Sequence, residues 1–192
     1  MKIYIVGISC VGKTTIGRLL ANKIEYSFYD LDTEVEKFYN KSIERIQNEC
    51  LTMNGYRQKA SAVLEKLLNR NECSVIAGTQ SGLKYSYLQV YKRYKKENEL
   101  VSIHLIDKPE NVLKRITFYD IDSKLMEIEL DENDKKKYLK EIISDFNFFK
   151  KSLNQADLLI DIDKIPLSQI PDLIITELNK IHKKIMPFEN SL

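Results

Sequence analysis

The chain has 192 residues, of which 43% are hydrophobic and 30% charged, a balance that excludes a disordered chain and suits one α/β domain with a single core. Thirty basic residues nearly match twenty-eight acidic ones, for a net charge of +2. Composition therefore points to no nucleic-acid partner and no membrane partner.

Lys2 to Val6 reads as a first strand, a short apolar run rich in β-branched residues and ended by Gly7. A helix is predicted from Lys13 to about Ile24, with Ile16, Leu19, Leu20 and Ile24 as its buried stripe. Tyr26 to Tyr29 follows as a second strand, with Asp30 and Asp32 at its end. Helical patterns come next at Thr33 to Phe38, Ile43 to Cys50 and Gly55 to Leu68, the last turning Ala62, Leu64 and Leu68 inward. Ser74 to Ala77 is continuously apolar apart from its first residue, as a strand buried on both faces would be. Tyr85 to Lys96 reads as a helix with Tyr85, Leu88 and Tyr91 on its core side. Its interleaved basic and tyrosine residues suit an amphipathic helix better than a nucleic-acid surface. Val101 to Ile106 is a fourth strand, in which His104 reads as structural. Pro109 opens a helix to about Phe118, where its missing N–H costs little. Asp120 to Asp134 is acidic and has no clean period. A helix near Lys135 to Leu153, a fifth strand at Asp157 to Ile162 and a helix at Leu167 to Lys184 complete the chain. The alternation predicts a three-layer α/β/α fold of the P-loop NTPase type, with a five-stranded parallel sheet. A single domain spans 1–184, and 185–192 reads as a tail.

Gly7-Ile8-Ser9-Cys10-Val11-Gly12-Lys13-Thr14 fits G-x-x-x-x-G-K-[ST] at every fixed position, between a strand and an amphipathic helix. In such a loop successive backbone N–H groups and a helix N-terminus point at phosphate. The expected cofactors are ATP and Mg²⁺. Gly7, Cys10, Val11, Gly12, Lys13, Thr14 and Thr15 would hold the nucleotide, with Lys13 bridging the β and γ phosphates and Thr14 ligating Mg²⁺. Asp30 and Asp32, two apart at a strand end, share a face and can front the same cleft. One could serve the metal shell and the other accept a proton from a substrate hydroxyl. An Asp-rich turn with Asp32 or Thr33 capping a helix explains the spacing equally well.

From here the sequence resembles a known family, the shikimate kinases. Gly7 to Leu20, GISCVGKTTIGRLL, is similar to the family's P-loop and helix. Phe28 to Lys37, FYDLDTEVEK, resembles its F-x-D-x-D-x-x-I-E segment, and Lys41-Ser42-Ile43 the K-S-I beyond it. Tyr56-Arg57 resembles an F-R dipeptide, Ser74 to Ala77 the strand before a glycine triplet, and Ala156-Asp157 the opening of the last strand. The resemblance implies Asp30 near Mg²⁺, Asp32 as acceptor of the hydroxyl proton, and Arg57 on a substrate carboxylate. It implies Gly78, Thr79 and Gln80 at the substrate, Arg115 at the adenine, and a lid at 118–136 whose Lys124 reaches the transferred phosphoryl group. Arg115 reads equally well as a charge at a helix C-terminus.

The match thins after Ala77. Ala60 stands where the family has a Glu that orients the clamp Arg. Gly78-Thr79-Gln80-Ser81-Gly82 replaces the glycine triplet, and Ser123-Lys124-Leu125-Met126 the lid's R-P-L-L. The family's second carboxylate-binding Arg aligns near Phe148, and no Arg follows Arg115. The expected function is ATP-dependent phosphoryl transfer to the hydroxyl of a small molecule. A kinase for a nucleoside or sugar acid, and a nucleotide binder without catalysis, are the alternatives. Cys10, Cys50 and Cys73 fit neither a disulfide framework nor a zinc site. Reduced thiols and the absence of a long apolar stretch predict a cytoplasmic protein, monomeric or weakly dimeric.

Overall fold

The computed structural model describes residues 1–97 and 100–185. Five parallel strands form the central sheet: β1 (Lys2–Val6), β2 (Ser27–Asp30), β3 (Ser74–Ala77), β4 (Leu100–Ile106) and β7 (Leu158–Asp161), in the order β2-β3-β1-β4-β7. The helices are α1 (Lys13–Lys23), α2 (Leu31–Tyr39), α3 (Ile43–Asn48), α4 (Met53–Leu68), α5 (Tyr85–Glu97), α6 (Pro109–Leu113), α7 (Glu132–Leu153) and α8 (Ile170–Ile185). Alternate residues of β1 serve opposite layers, as the pleat requires. The Ile5 side chain faces Gly17 of α1, and the Tyr4 ring stacks on Tyr91 of α5 at 6.5 Å. Because β3 and β4 flank β1 on opposite sides, the strand order reverses beside β1. A crevice therefore opens at its C-terminal end, where Gly7 begins the loop.

One hydrogen-bonded knot ties β7 into this frame. Asp157 accepts from the Ser102 amide at 2.9 Å and from the Tyr91 hydroxyl at 2.7 Å, so the start of β7 is fixed to β4 and α5. With both partners buried, it satisfies polar groups that would otherwise be costly.

Several sequence expectations are corrected. The helix from Pro109 ends at Leu113, and Phe118–Tyr119 (β5) pairs antiparallel with Leu125–Met126 (β6) as a hairpin inside the aperiodic segment. The hairpin's acidity is spent locally. Asp120 accepts from the Asp122 and Lys124 amides of its own turn, Asp122 pairs with Arg45 at 2.8 Å, and Asp131 caps α7. Leu19 is 37% exposed, while Gly17 and Ala21 complete the buried stripe of α1 instead. Ala62 faces out, and Val63 and Leu67 join Leu64 and Leu68 in the core. On α5 the buried face is Tyr87, Val90, Tyr91 and Tyr94, and Tyr85 is turned outward. Leu167–Gln169 is a 3₁₀ turn before α8. The expected tail lies, from Met186 onward, outside the described residues. Among the described residues no helix is long and apolar enough to cross a membrane.

Candidate active site

Gly12 ends the loop after β1 with φ +106°, a left-handed conformation that an L side chain rarely adopts. It is also the N-cap of α1 and offers no side chain to the helix's first amides. Those orphan donors and the positive end of the helix face the crevice, which suits an anion. Gly7 also has positive φ, and a Cβ there would lie 2.9 Å from the Leu105 carbonyl oxygen. Val11 is fully buried and packs into the core, whereas Thr15 is exposed. The Lys13 ammonium donates to the Gly7 and Ile8 carbonyls at 3.1 and 2.8 Å, which holds it across the mouth of the loop. Enclosure lowers the Lys13 pKa, and the carboxylates of Asp32 and Asp30 partly offset this.

Thr14 Oγ1 donates to Asp30 Oδ2 at 2.6 Å. The other oxygen of Asp30 accepts from the Asp32 and Thr33 amides, so Asp30 is the N-cap of α2. The expectation that Asp32 or Thr33 caps is thus corrected: the cap is Asp30, two residues before Asp32. The shared strand face is corrected as well, since Asp32 lies in the first turn of α2. Asp30 and Asp32 nevertheless line one cavity of about 450 Å³ with Thr14, Glu36, Glu44 and Ser123. A hydroxyl and a carboxylate in contact at the phosphate loop are hard oxygen donors of the kind Mg²⁺ accepts, the rest of its shell being phosphate and water. Thr14 and Asp30 fit that ion.

Asp32 also borders a second cavity of about 190 Å³, which brings together Ser9, Lys13, Arg57, Thr79 and Gln80. The carboxylate opens to cleft water yet sits among many protein atoms. Poor solvation and the neighbouring Asp30 raise its pKa from 3.8 to about 6, against the pull of Lys13. Arg57 lies 4.4 Å over the Tyr85 ring and pairs with no carboxylate among the described residues. Ala60, one turn on from Arg57, is fully buried in the core and offers it no polar partner.

Three expected site residues behave differently. Gly78 does not line the cavity. A Cβ there would come within 2.4 Å of the buried Tyr4 ring, so its glycine is a packing requirement. Lys124 is exposed in the hairpin turn and lines neither cavity. The hairpin instead contributes Tyr119 and Ser123, and its tip is held by Ser42 Oγ donating to the Ile121 carbonyl and by the Ser123 hydroxyl, which lies within hydrogen-bond reach of both the Glu36 and Glu44 carboxylates. Arg115 donates to the Cys10 carbonyl at 3.1 Å and pairs with the buried Asp107, bracing the phosphate loop from beneath. That carbonyl belongs to a residue at φ +59°. Asp107 itself is held by Asn111 and the Lys108 amide. Sequence reading gave no site role to Asp107 or Tyr85, which stand in no recognisable motif, nor to Ser123, where it looked to the neighbouring Lys124 instead.

A parallel sheet whose first strand runs through a phosphate loop into α1 defines a P-loop NTPase-type fold. A family model for shikimate kinase matches residues 9–166. The chain belongs to the shikimate kinase family. The shikimate kinase of Alkaliphilus oremlandii is 45% identical over 79 residues, which cover 40% of this chain and 44% of that protein. The matched stretch thus spans less than half the length of this curated relative. Among solved structures, the shikimate kinase of Aquifex aeolicus superposes with a TM-score of 0.71 at 24% identity, covering 95% of this chain and 98% of that one. That of Acinetobacter baumannii in complex with shikimate gives 0.70 at 23%, covering 94% and 93%.

Proposed function

We propose that this chain transfers the γ-phosphoryl group of ATP to a hydroxyl of shikimate or a closely similar small hydroxy acid. The observation that carries this is the convergence of Lys13, Asp32 and Arg57 on one cavity, beside the Thr14–Asp30 contact. Membership of the shikimate kinase family and the shikimate bound by the Acinetobacter baumannii homologue support the choice of acceptor. When bound, Mg²⁺ neutralises phosphate charge. Thr14 and Asp30 would hold it, and the amides of the Gly7–Thr14 loop would hold the phosphates. Lys13 compensates charge on the transferred group, Arg57 grips the acceptor's carboxylate, and Asp32 receives the proton of the attacking hydroxyl. Thr79 and Gln80 stand where they can hydrogen-bond the acceptor's other hydroxyls. A silent nucleotide binder would have no use for Asp32 in that cavity. Cys10, Cys50 and Cys73 are free thiols, and this reading places the enzyme in the cytoplasm.

The test is to titrate shikimate into the protein at saturating Mg²⁺ and ATP and to follow ADP release. Acceptor-dependent turnover on the order of one per second or faster is expected. No acceptor-dependent ADP, from a protein that binds ATP, would refute this reading.

A further inference from the structure

Arg57 and Lys84 sit on one aromatic ring. The Arg57 guanidinium carbon lies 4.4 Å and the Lys84 ammonium 5.1 Å from the Tyr85 centroid. Lys84 is half-buried, and its ammonium is further enclosed by Phe148 at 3.7 Å and Phe149 at 5.5 Å. Neither cation pairs with a carboxylate among the described residues. Two like charges are thus gathered on one ring, whose face attracts both and neutralises neither. A ring also differs from a carboxylate as a partner: it fixes the position of a cation but leaves its N–H donors unused. Arg57 and Phe149 line the smaller cavity, while Lys84 stands outside that lining with its ammonium 5.5 Å from the Phe149 ring, and its flexible stem can turn the ammonium toward the guanidinium. Tyr85 reaches this position because it is turned out of the core at φ +54°, a left-handed conformation uncommon for an aromatic residue.

We propose that Lys84 is a substrate-binding and specificity-determining residue, which with Arg57 grips the acceptor's carboxylate and makes this site select a hydroxy acid over its neutral analogue. The inference rests on the phosphotransfer reading for its substrate class, but it can be measured without turnover. A single guanidinium grips one edge of a carboxylate. An ammonium on a flexible stem can meet a remaining lone pair and adds a second charge-assisted bond.

The experiment is calorimetric titration of the full chain with shikimate, D-gluconate and shikimate methyl ester, each in the presence of Mg·ADP. It is run on wild type, Lys84→Met and Lys84→Arg, with steady-state kinetics alongside. Met keeps the apolar stem against Phe148, so the variant retains its packing. Lys84→Met is expected to weaken binding of the better hydroxy acid about ten- to a hundredfold, and to leave binding of the ester and the KM for ATP unchanged. Lys84→Arg should restore most of the affinity. The proposal is overturned if Lys84→Met binds the anion as wild type does, if it weakens anion and ester equally, or if wild type binds neither hydroxy acid at millimolar concentration. Turnover of shikimate with Lys84→Met indistinguishable from wild type would leave the phosphotransfer reading standing and remove this one. Lys84-dependent anion binding without turnover would do the reverse.

Discussion

The Thr14 hydroxyl donates to Asp30 Oδ2 at 2.6 Å, which joins the first turn of α1 to the N-cap of α2. One carboxylate thereby does two jobs, with one oxygen on the helix amides and the other on the phosphate-loop threonine. The jobs are separable. Asp30→Asn keeps a capping oxygen and should change stability by less than about 0.5 kcal/mol. Asp30→Ala loses the cap and should cost about 1 kcal/mol in denaturant melts. Both should raise the Mg²⁺ concentration needed for half-maximal activity. An Asp30→Asn protein with unaltered Mg²⁺ dependence would show that Asp30 is only a cap.

The position of Asp32 predicts an acidic limb in the activity profile. Its pKa is raised to about 6, and a proton acceptor must be ionised to work. The kcat/KM for the acceptor should therefore climb through about pH 6 and level off above it. Stability should run the other way. The folded pKa lies above the unfolded value of 3.8, so the folded state holds its proton more tightly and loses stability as pH rises from about 4 to about 6. Asp32→Asn should abolish turnover and gain up to about 1 kcal/mol at pH 8, a figure kept small because cleft water screens the charge. That gain should vanish near pH 3.5. A variant that is less stable than wild type at pH 8 would contradict this.

His104 sits opposite Val6 on β4, 4% exposed, with neither ring nitrogen partnered among the described residues. Burial, and then the nearby Lys13, lower its pKa from 6.5 to about 4. The unfolded chain therefore takes up this proton first, and stability present above pH 6.5 is lost as pH falls toward 4. The loss attributable to this residue approaches about 3 kcal/mol at the low end. His104→Leu should flatten the acid limb of stability while changing it little at pH 8. Parallel acid titrations of the two proteins, followed by circular dichroism, would decide it.

Gly78 and Tyr4 form a packing pair. Gly78→Ala drives a methyl group into a ring that is 1% exposed and has nowhere to move. It should cost about 2–4 kcal/mol, as overpacking at a rigid site does. Tyr4→Leu opens the space and should recover much of that loss in the double variant. Additive penalties from the two changes would show that the clash is not the cause.

The P-loop was legible because its chemistry is local. A loop that exposes consecutive amides to phosphate needs glycines at set positions and a lysine and threonine immediately after, all within eight residues. The strands and most helices were legible for the same kind of reason, since burial imposes its period on each segment separately. Asp32 was singled out by its spacing from Asp30 and Arg57 by resemblance, and the fold brings them to one cavity although they lie on α2 and α4. The hairpin at 118–126 was not legible. Its strands are two residues long, too short to display a period, and its acidic residues, Asp120 and Asp122, are absorbed by a turn and an ion pair.

What the sequence determined by itself is the sheet-and-helix alternation, the phosphate loop and the identity of the acid–base candidate. What only the tertiary structure decided is who stands beside whom. Tyr85 was expected in the core of an amphipathic helix, yet it faces outward and holds Arg57 and Lys84 together across separate elements. Gly78 makes room for the Tyr4 ring, while Arg115 reaches back to the Cys10 carbonyl across more than a hundred positions of chain. Periodicity and motifs record what a residue needs from its own segment. Contacts such as these depend on how separate segments pack, and no local pattern encodes that.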